Sequence, residues 1–260
     1  AGDDSANAGD DLDINANVLT SGSNSTITLQ AGDDISQSAS TTVGATGGAT
    51  NVDISATANH EDDVTDGDTA AFTQASGASF DSQGGDITVS SYGDATIALL
   101  DASTGAVSVT STGGDIVSAS DDNTADVDTS GTVSLTAQNI GTNTPTSLDV
   151  IAGTLNADTS GSNGFINIDL LGDTDIGSIT AGSGDISLEA YNSGGGTYYN
   201  INSASDDNTA DITTTGTLNL LAAAVGNTDS LDVDVNTLNV DTSSSDGTVD
   251  IDLLGSTGIG

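Results

Sequence analysis

The chain alternates. Apolar residues recur at every second position in short runs, and the runs return about every ten residues: Ile87/Val89, Ile97/Leu99, Val107/Val109, Val133/Leu135, Leu148/Val150, Leu155/Ala157, Ile166/Ile168/Leu170 and Ile186/Leu188. The pattern comes back as Leu218/Leu220, Leu231/Val233/Val235, Leu238/Val240 and Val249/Ile251/Leu253. A period of two puts one set of side chains on one face of an extended strand, and the Gly, Asp, Asn and Ser between runs supply turns. No stretch carries a convincing helical period; the apolar LLAAAVG (220–226) is too short to hold a helix alone.

Every second run follows its predecessor by about 20 residues. That spacing predicts an all-β parallel β-solenoid, with two or three short strands per coil and roughly 13 coils over 260 residues. At ~4.8 Å per coil the rod would be about 60 Å long. Each coil adds a few aliphatic side chains to a thin axial core, and stacking makes that core continuous.

A longer period overlies the short one. SASDDNTADVDTSGTVSL (118–135) recurs as SASDDNTADITTTGTLNL (203–220), and LDVIAGTLNADTSGSNGFINIDLLGDTDIG (148–177) as LDVDVNTLNVDTSSSDGTVDIDLLGSTGIG (231–260). This long repeat of about 84 residues (118–202 and 203–260) reads as four coils. Residues 84–260 form the regular solenoid. Residues 1–35 hold a weaker echo (LDINANVLTSGSNSTITLQAGDDI, 12–35) and read as degenerate coils; 36–83 read as irregular coils with an acidic loop insertion. The second copy stops in mid-pattern, so the chain is expected to be an excerpt of a longer protein.

The stretches GGDITVSS (84–91), TGGDIVSAS (112–120) and AGSGDISLEA (181–190), Gly-Asp-Ile followed by alternating Ser/Thr and aliphatics, resemble the coil repeats of filamentous-haemagglutinin-like adhesins. That family belongs to the large secreted bacterial β-helix proteins, two-partner-secretion and autotransporter passengers among them. The resemblance covers most of 84–260 and implies a right-handed parallel β-helix, extracellular or on the bacterial cell surface. The chain departs from typical members in lacking every Lys and Arg, which suggests a marine, halophilic or cation-rich setting.

Charge narrows the partners. The chain has 39 acidic residues and no Lys or Arg, a formal charge of −39. Nucleic acid and anionic membrane surfaces require a basic patch that this chain cannot build. Cations are the natural counterparts. No Cys is present, so no disulfide forms.

Two acidic motifs are candidate Ca²⁺ ligands, because clustered hard oxygens suit that ion. One is the duplicated DDNTAD: Asp121, Asp122, Asn123 and Asp126, and again Asp206, Asp207, Asn208 and Asp211. The other is HEDDVTDGD (60–68), with Glu61, Asp62, Asp63, Asp66 and Asp68 beside the only histidine, His60. The alternative for both is a solvated corner whose Asp and Asn residues bond their own backbone. Neither matches an EF-hand or a calcium β-roll. Asp149, Asp232, Asp234, Asp250 and Asp252 alternate with core aliphatics and are expected to form a negative outer face. Phe165, Tyr191, Tyr198 and Tyr199 are expected to fill core or corners.

Catalysis finds little support. A β-helical lyase would need an Arg or Lys, and none exists. The expected role is that of a non-enzymatic structural solenoid: the shaft of an adhesin or a subunit of a surface fibre or layer, stabilised by Ca²⁺, self-associating end to end, and contacting cell or matrix surfaces. The alternatives are an ice- or carbohydrate-binding module, for which ITTTGTL (212–218) offers a threonine row, and a carboxylate-dependent polysaccharide hydrolase.

Overall fold

The computed structural model describes residues 11–59, 70–120, 122–142, 146–205 and 207–260. Their regular elements are all strands, wound as a parallel β-solenoid. The LLAAAVG segment is strand and bend, with strands ending at Leu221 and resuming at Ala224–Val225.

Three parallel ladders run the length of the early coils. The first stacks Leu12–Ile14, Ile35–Gln37, Phe72–Gln74, Ala95–Ile97 and Ile116–Ser118 in register. The second stacks Val18–Thr20, Thr42–Ala45, Ser79–Asp81, Leu100–Ser103, Val127–Thr129 and Leu148–Ile151. The third stacks Thr26–Ala31, Asp53–Ala58, Ile87–Ser91, Val107–Ser111, Thr132–Thr136, Thr154–Asp158 and Thr174–Thr180. Alternation sets this register: Ile87, Val107, Val133, Leu155 and Ile176 lie one above another and are all buried. A slip of one residue would turn the whole column to solvent.

The first ladder continues through Ile140, Ile166, Ile186, Leu218 and Leu238 to Ile259. The solenoid therefore makes about ten turns, not the 13 expected from spacing alone. The difference lies in the uneven spacing of stacked residues. Ile87 to Val107 takes 20 residues, but Ile35 to Phe72 takes 37 and Ile186 to Leu218 takes 32. At ~4.8 Å per turn the stack is about 50 Å long.

The faces are redrawn in the middle of the rod. Strand Ile166–Leu170 joins two ladders, with Ile166 bridged to Ile140 while Ile168 and Leu170 pair with Leu148 and Val150. The third ladder divides at a bulge in Thr174–Thr180: Thr174–Ile176 carries Ile201–Ser203, whereas Ile179 and Thr180 carry Ile212 and Thr213. The long repeat is consequently not a whole number of coils. Ile212, the counterpart of Val127, stands in the ladder of Leu135, Ala157 and Ile179 rather than in that of Val127. The second copy is advanced by one face, which corrects the four-coil reading.

Glycine lets the coils close up at one corner. A Cβ on Gly105 would lie 2.0 Å from the Gly85 carbonyl oxygen, and one on Gly131 would lie 2.5 Å from that of Gly105. Neighbouring hydroxyls turn inward to satisfy these carbonyls: Thr129 donates to Gly105 O at 2.6 Å and Ser82 to Gly85 O at 2.6 Å. Phe72 and Phe80 fill the core edge to face, with centroids 5.5 Å apart.

Candidate functional site

The aspartates before the strands have a shared job. The carboxylate of one coil accepts the backbone N–H of the next. Asp34 N–H donates to Asp11 Oδ1 at 3.3 Å, Ala71 N–H to Asp34 at 2.7 Å, Asp115 N–H to Asp94 at 2.9 Å and Asn139 N–H to Asp115 at 3.0 Å. Asn139 continues the column as a neutral acceptor for Phe165 N–H at 3.1 Å. The same staple runs from Asp53 to Asp86 N–H, from Asp86 to Ala106 N–H, from Asp173 to Asn200 N–H and from Asp185 to Thr217 N–H. At a corner the chain turns away from the ladder, and an amide there would otherwise face water or nothing. A short acceptor one coil below answers it. The Gly-Asp-Ile sequence thus encodes close approach, staple and core residue in order.

The DDNTAD corners use the staple in buried form. Asp126 is 2 % exposed. Its carboxylate accepts Asp149 N–H at 2.9 Å and the Ser118 hydroxyl at 2.8 Å. In the second copy Asp211 is equally buried and accepts Asp232 N–H at 2.9 Å. Burial drives the Asp126 carboxyl up to about 8, against the two hydrogen bonds that favour the anion and with the help of the Asp149 and Asp122 charges. Burial raises Asp211 in the same direction, aided by Asp232 and Asp207.

Asp122 and Asp207 point elsewhere. Asp122 accepts the hydroxyl and N–H of Thr124 and the hydroxyl of Ser120, bonds that hold its carboxyl below the ordinary range. Asp207 does the same with Thr209 and Ser205. Asn123 and Asn208 take the left-handed conformation, with φ of 56° and 60°, which asparagine tolerates better than most residues. The corner therefore sends one carboxylate into a surface turn and another into the stack. Among the described residues no three of Asp, Glu, His and Cys converge on a point that could hold a metal ion. Asp121 and Asp206, and the candidates Glu61, Asp62, Asp63, Asp66 and Asp68 with His60, lie outside the described residues.

Two expectations about the outer face change. Asp149 and Asp232 are buried at 3 % and 1 % exposure, because each backs onto the buried corner aspartate below it. Asp234, Asp250 and Asp252 are exposed as expected. An antiparallel hairpin, Tyr191–Asn192 with Thr197–Tyr198, leaves the solenoid and stacks its two tyrosines 4.4 Å apart. Its Ser193 hydroxyl bonds Asn123 of the first corner. Phe165 is half-buried and lines a polar groove of about 320 Å³ with Asn167, Asp169, Asp185, Glu189 and Asn219.

No protein-family model matches the chain, and no curated protein or solved structure matches it significantly. Its chemistry is therefore read from its own residues. Among the described residues no helix is long and apolar enough to cross a membrane.

The most consequential polar pair had no clear sequence signal. Gln37 and Gln74 are buried on successive coils; the Gln74 amide donates to Gln37 Oε1 at 3.0 Å, and Gln74 Oε1 accepts Ala98 and Leu99 N–H. The matching triplets ISQ (35–37) and FTQ (72–74) are the trace they leave.

Proposed function

We propose that this chain is a non-enzymatic, extracellular structural solenoid, a segment of an adhesin shaft or surface fibre. One observation carries the reading: the same carboxylate-to-amide staple recurs from coil to coil along the stack. Its acidic residues are spent on holding successive turns together at a fixed rise, and a fibre needs a fixed rise. The resemblance of the Gly-Asp-Ile coils to secreted bacterial β-helix adhesins supports the location. With no positive side chain to answer 39 acids, stability outside the cell depends on cations, with Ca²⁺ the proposed counterion of the outer rows. The test is mechanical and positional. Antibody labelling of intact producing cells should mark the surface, and single-molecule pulling should show the segment yielding in steps of one or a few coils. A purely intracellular label would overturn the location, and a single compact unfolding event would overturn the shaft.

A second reading, a carbohydrate-binding module, is favoured by the groove beside Phe165, where Asn167, Asp169, Glu189 and Asn219 offer hydrogen-bonding groups next to an aromatic edge. Binding on a glycan array, lost in Phe165→Ala, would favour it over the shaft.

A further inference from the structure

Two rows of one sheet face stand out in so acidic a chain because they hold no charge. On the third ladder Thr28, Ser55, Thr88, Ser108 and Ser134 stack in register from coil to coil, and Gln30, Thr57, Ser90, Thr110 and Thr136 stack beside them. Between the rows lie the buried Leu29, Ala56, Val89, Val109 and Leu135, which anchor each strand in the core. No register shift interrupts these five coils. The first bulge comes beyond them, between Leu155 and Asn156. Charge enters the second row only at Asp158, in register above Thr136. Asp53 and Asp86, at the margin of the face, are engaged as staples to the Asp86 and Ala106 amides.

The hydroxyls of these rows differ from those at the corners. Ser82, Ser91, Ser111 and Thr129 turn inward, and each donates to a glycine carbonyl at 2.6–2.8 Å. The threonine run of ITTTGTL is occupied in the same way: Thr214 donates to Gly184 O at 2.6 Å and Thr215 to Gly182 O at 3.2 Å. The hydroxyls of Thr28, Ser55, Thr57, Thr88, Ser90, Ser108, Thr110, Ser134 and Thr136 make no hydrogen bond to any described residue, and all are half-buried or exposed. Each can donate one hydrogen bond and accept two. The fold therefore holds a fixed array of unengaged donors and acceptors on short, stiffly mounted side chains.

We propose that this array is an ice-binding face, which holds rows of lattice water on the hydroxyls of 28–30, 55–57, 88–90, 108–110 and 134–136. The occupant must be neutral, because the rows offer a cation no carboxylate and the chain offers an anion no Lys or Arg. It must also be periodic, because the array repeats every ~4.8 Å along the rod and about 6.6 Å across it, two residues of strand. Frozen water is a rigid, uncharged lattice that donates and accepts hydrogen bonds at short repeats of this order. A second copy of the chain fits poorly. The face covers only about 400 Å², half of the about 800 Å² per partner that a stable protein interface buries, and two chains of charge −39 repel. A sugar chain would find no aromatic ring among these residues to stack on. Individually weak bonds add up here because the array presents them together, so that each contact after the first forms at high effective concentration. This role goes beyond the shaft reading and does not depend on where the chain is displayed.

The test uses the intact chain and single ice crystals held in a nanolitre osmometer. The wild type should facet the crystal and open a gap between its melting and freezing points that grows with protein concentration. Ser108→Tyr sets a ring in the middle of the array and should remove most of that gap. Thr96→Tyr, at an outward position of the first ladder, should leave it unchanged. Circular dichroism melts establish that both variants fold; if Ser108→Tyr does not, Thr110→Asp, which puts a charge into the second row, is read in its place. A wild type that opens no gap would overturn the proposal, and so would array variants as active as the wild type. Retention of the wild type on crystalline cellulose or chitin but not on ice would overturn it too, and would assign the face to a neutral glycan.

Discussion

The Asp115 backbone amide donates to the Asp94 carboxylate at 2.9 Å, and Asp115 offers its own carboxylate to Asn139 one coil further on at 3.0 Å. Asp115 is thus donor to the coil below and acceptor for the coil above. Removing the acceptor while leaving the amide should cost stability, and removing only the charge should not. Asp94→Ala is expected to lower unfolding free energy by about 1 kcal/mol, the usual worth of one such bond. Asp94→Asn keeps the oxygen and should stay within a few tenths of wild type. Urea denaturation followed by circular dichroism checks both, and equal losses would show that the charge matters rather than the bond.

Glycines divide by what surrounds them. Gly105→Ala forces a methyl to within 2.0 Å of the Gly85 oxygen, so two coils must part. A loss of at least about 2 kcal/mol is expected, in the range of overpacking. Gly161→Ala meets nothing within 4 Å and should be neutral or slightly stabilising, since alanine restricts the unfolded chain. Comparing the two melting temperatures separates close packing from mere glycine content.

Much of this architecture was legible in the residues. Ile87/Val89 and Val107/Val109 alternate as strands of a solenoid must, and they pair in register. Turn count was not legible, because the interval between residues stacked on successive coils is not constant: it is 20 from Ile87 to Val107 but 37 from Ile35 to Phe72. The phase of the long repeat was hidden for a related reason: sequence records strand–corner–strand units, while the face each unit occupies depends on insertions upstream. Asp149 and Asp232 alternate with aliphatics and so read as outward; a partner 21 to 23 residues earlier in the chain, Asp211 or Asp126, is what buries them. Gln37 and Gln74 sat where alternation is weakest, and a polar residue inside a solenoid announces itself only through its stacked copy.

That glutamine pair predicts a steep cost. Gln74 bonds the Gln37 side chain, the Leu99 carbonyl and two backbone amides from inside the core. Gln74→Leu fills similar volume but strands the Ala98 and Leu99 amides, with an expected loss of about 2–4 kcal/mol. Gln37→Leu made alone should cost less, since those amides stay bonded to Gln74. Denaturant midpoints for the two variants rank them, and the reverse order would show that Gln37 anchors the pair.

Outward charge sets the response to salt. Asp81, Asp101 and Asp128 stack on successive coils, and nothing positive lies in the chain to balance them. The screening length falls from about 10 Å at 0.1 M to about 3 Å at 1 M, past the coil spacing of ~4.8 Å. Melting temperature should therefore climb between 0.1 and 1 M KCl. CaCl₂ at matched ionic strength should raise it further, because one divalent ion answers two stacked carboxylates; equal gains would leave screening as the whole effect.

Acid should act on the corner-turn carboxylates in the opposite sense to the buried Asp126 and Asp211. Hydrogen bonds from Thr124 and Ser120 hold the Asp122 carboxyl below its ordinary 3.8, and those from Thr209 and Ser205 do the same for Asp207. A depressed group stabilises the fold above its unfolded value, and that share is lost as pH drops through the folded one. The double variant Asp122→Ala with Asp207→Ala should melt below wild type at pH 5, and the gap should narrow as pH falls to 2, where the protonated wild type weakens the same bonds. Thermal melts at four or five pH values suffice. A gap that stays constant would mean that the two carboxylates hold their loops equally well when neutral, and that the Asn123 and Asn208 backbone conformation, not the Asx bonds, shapes the corner.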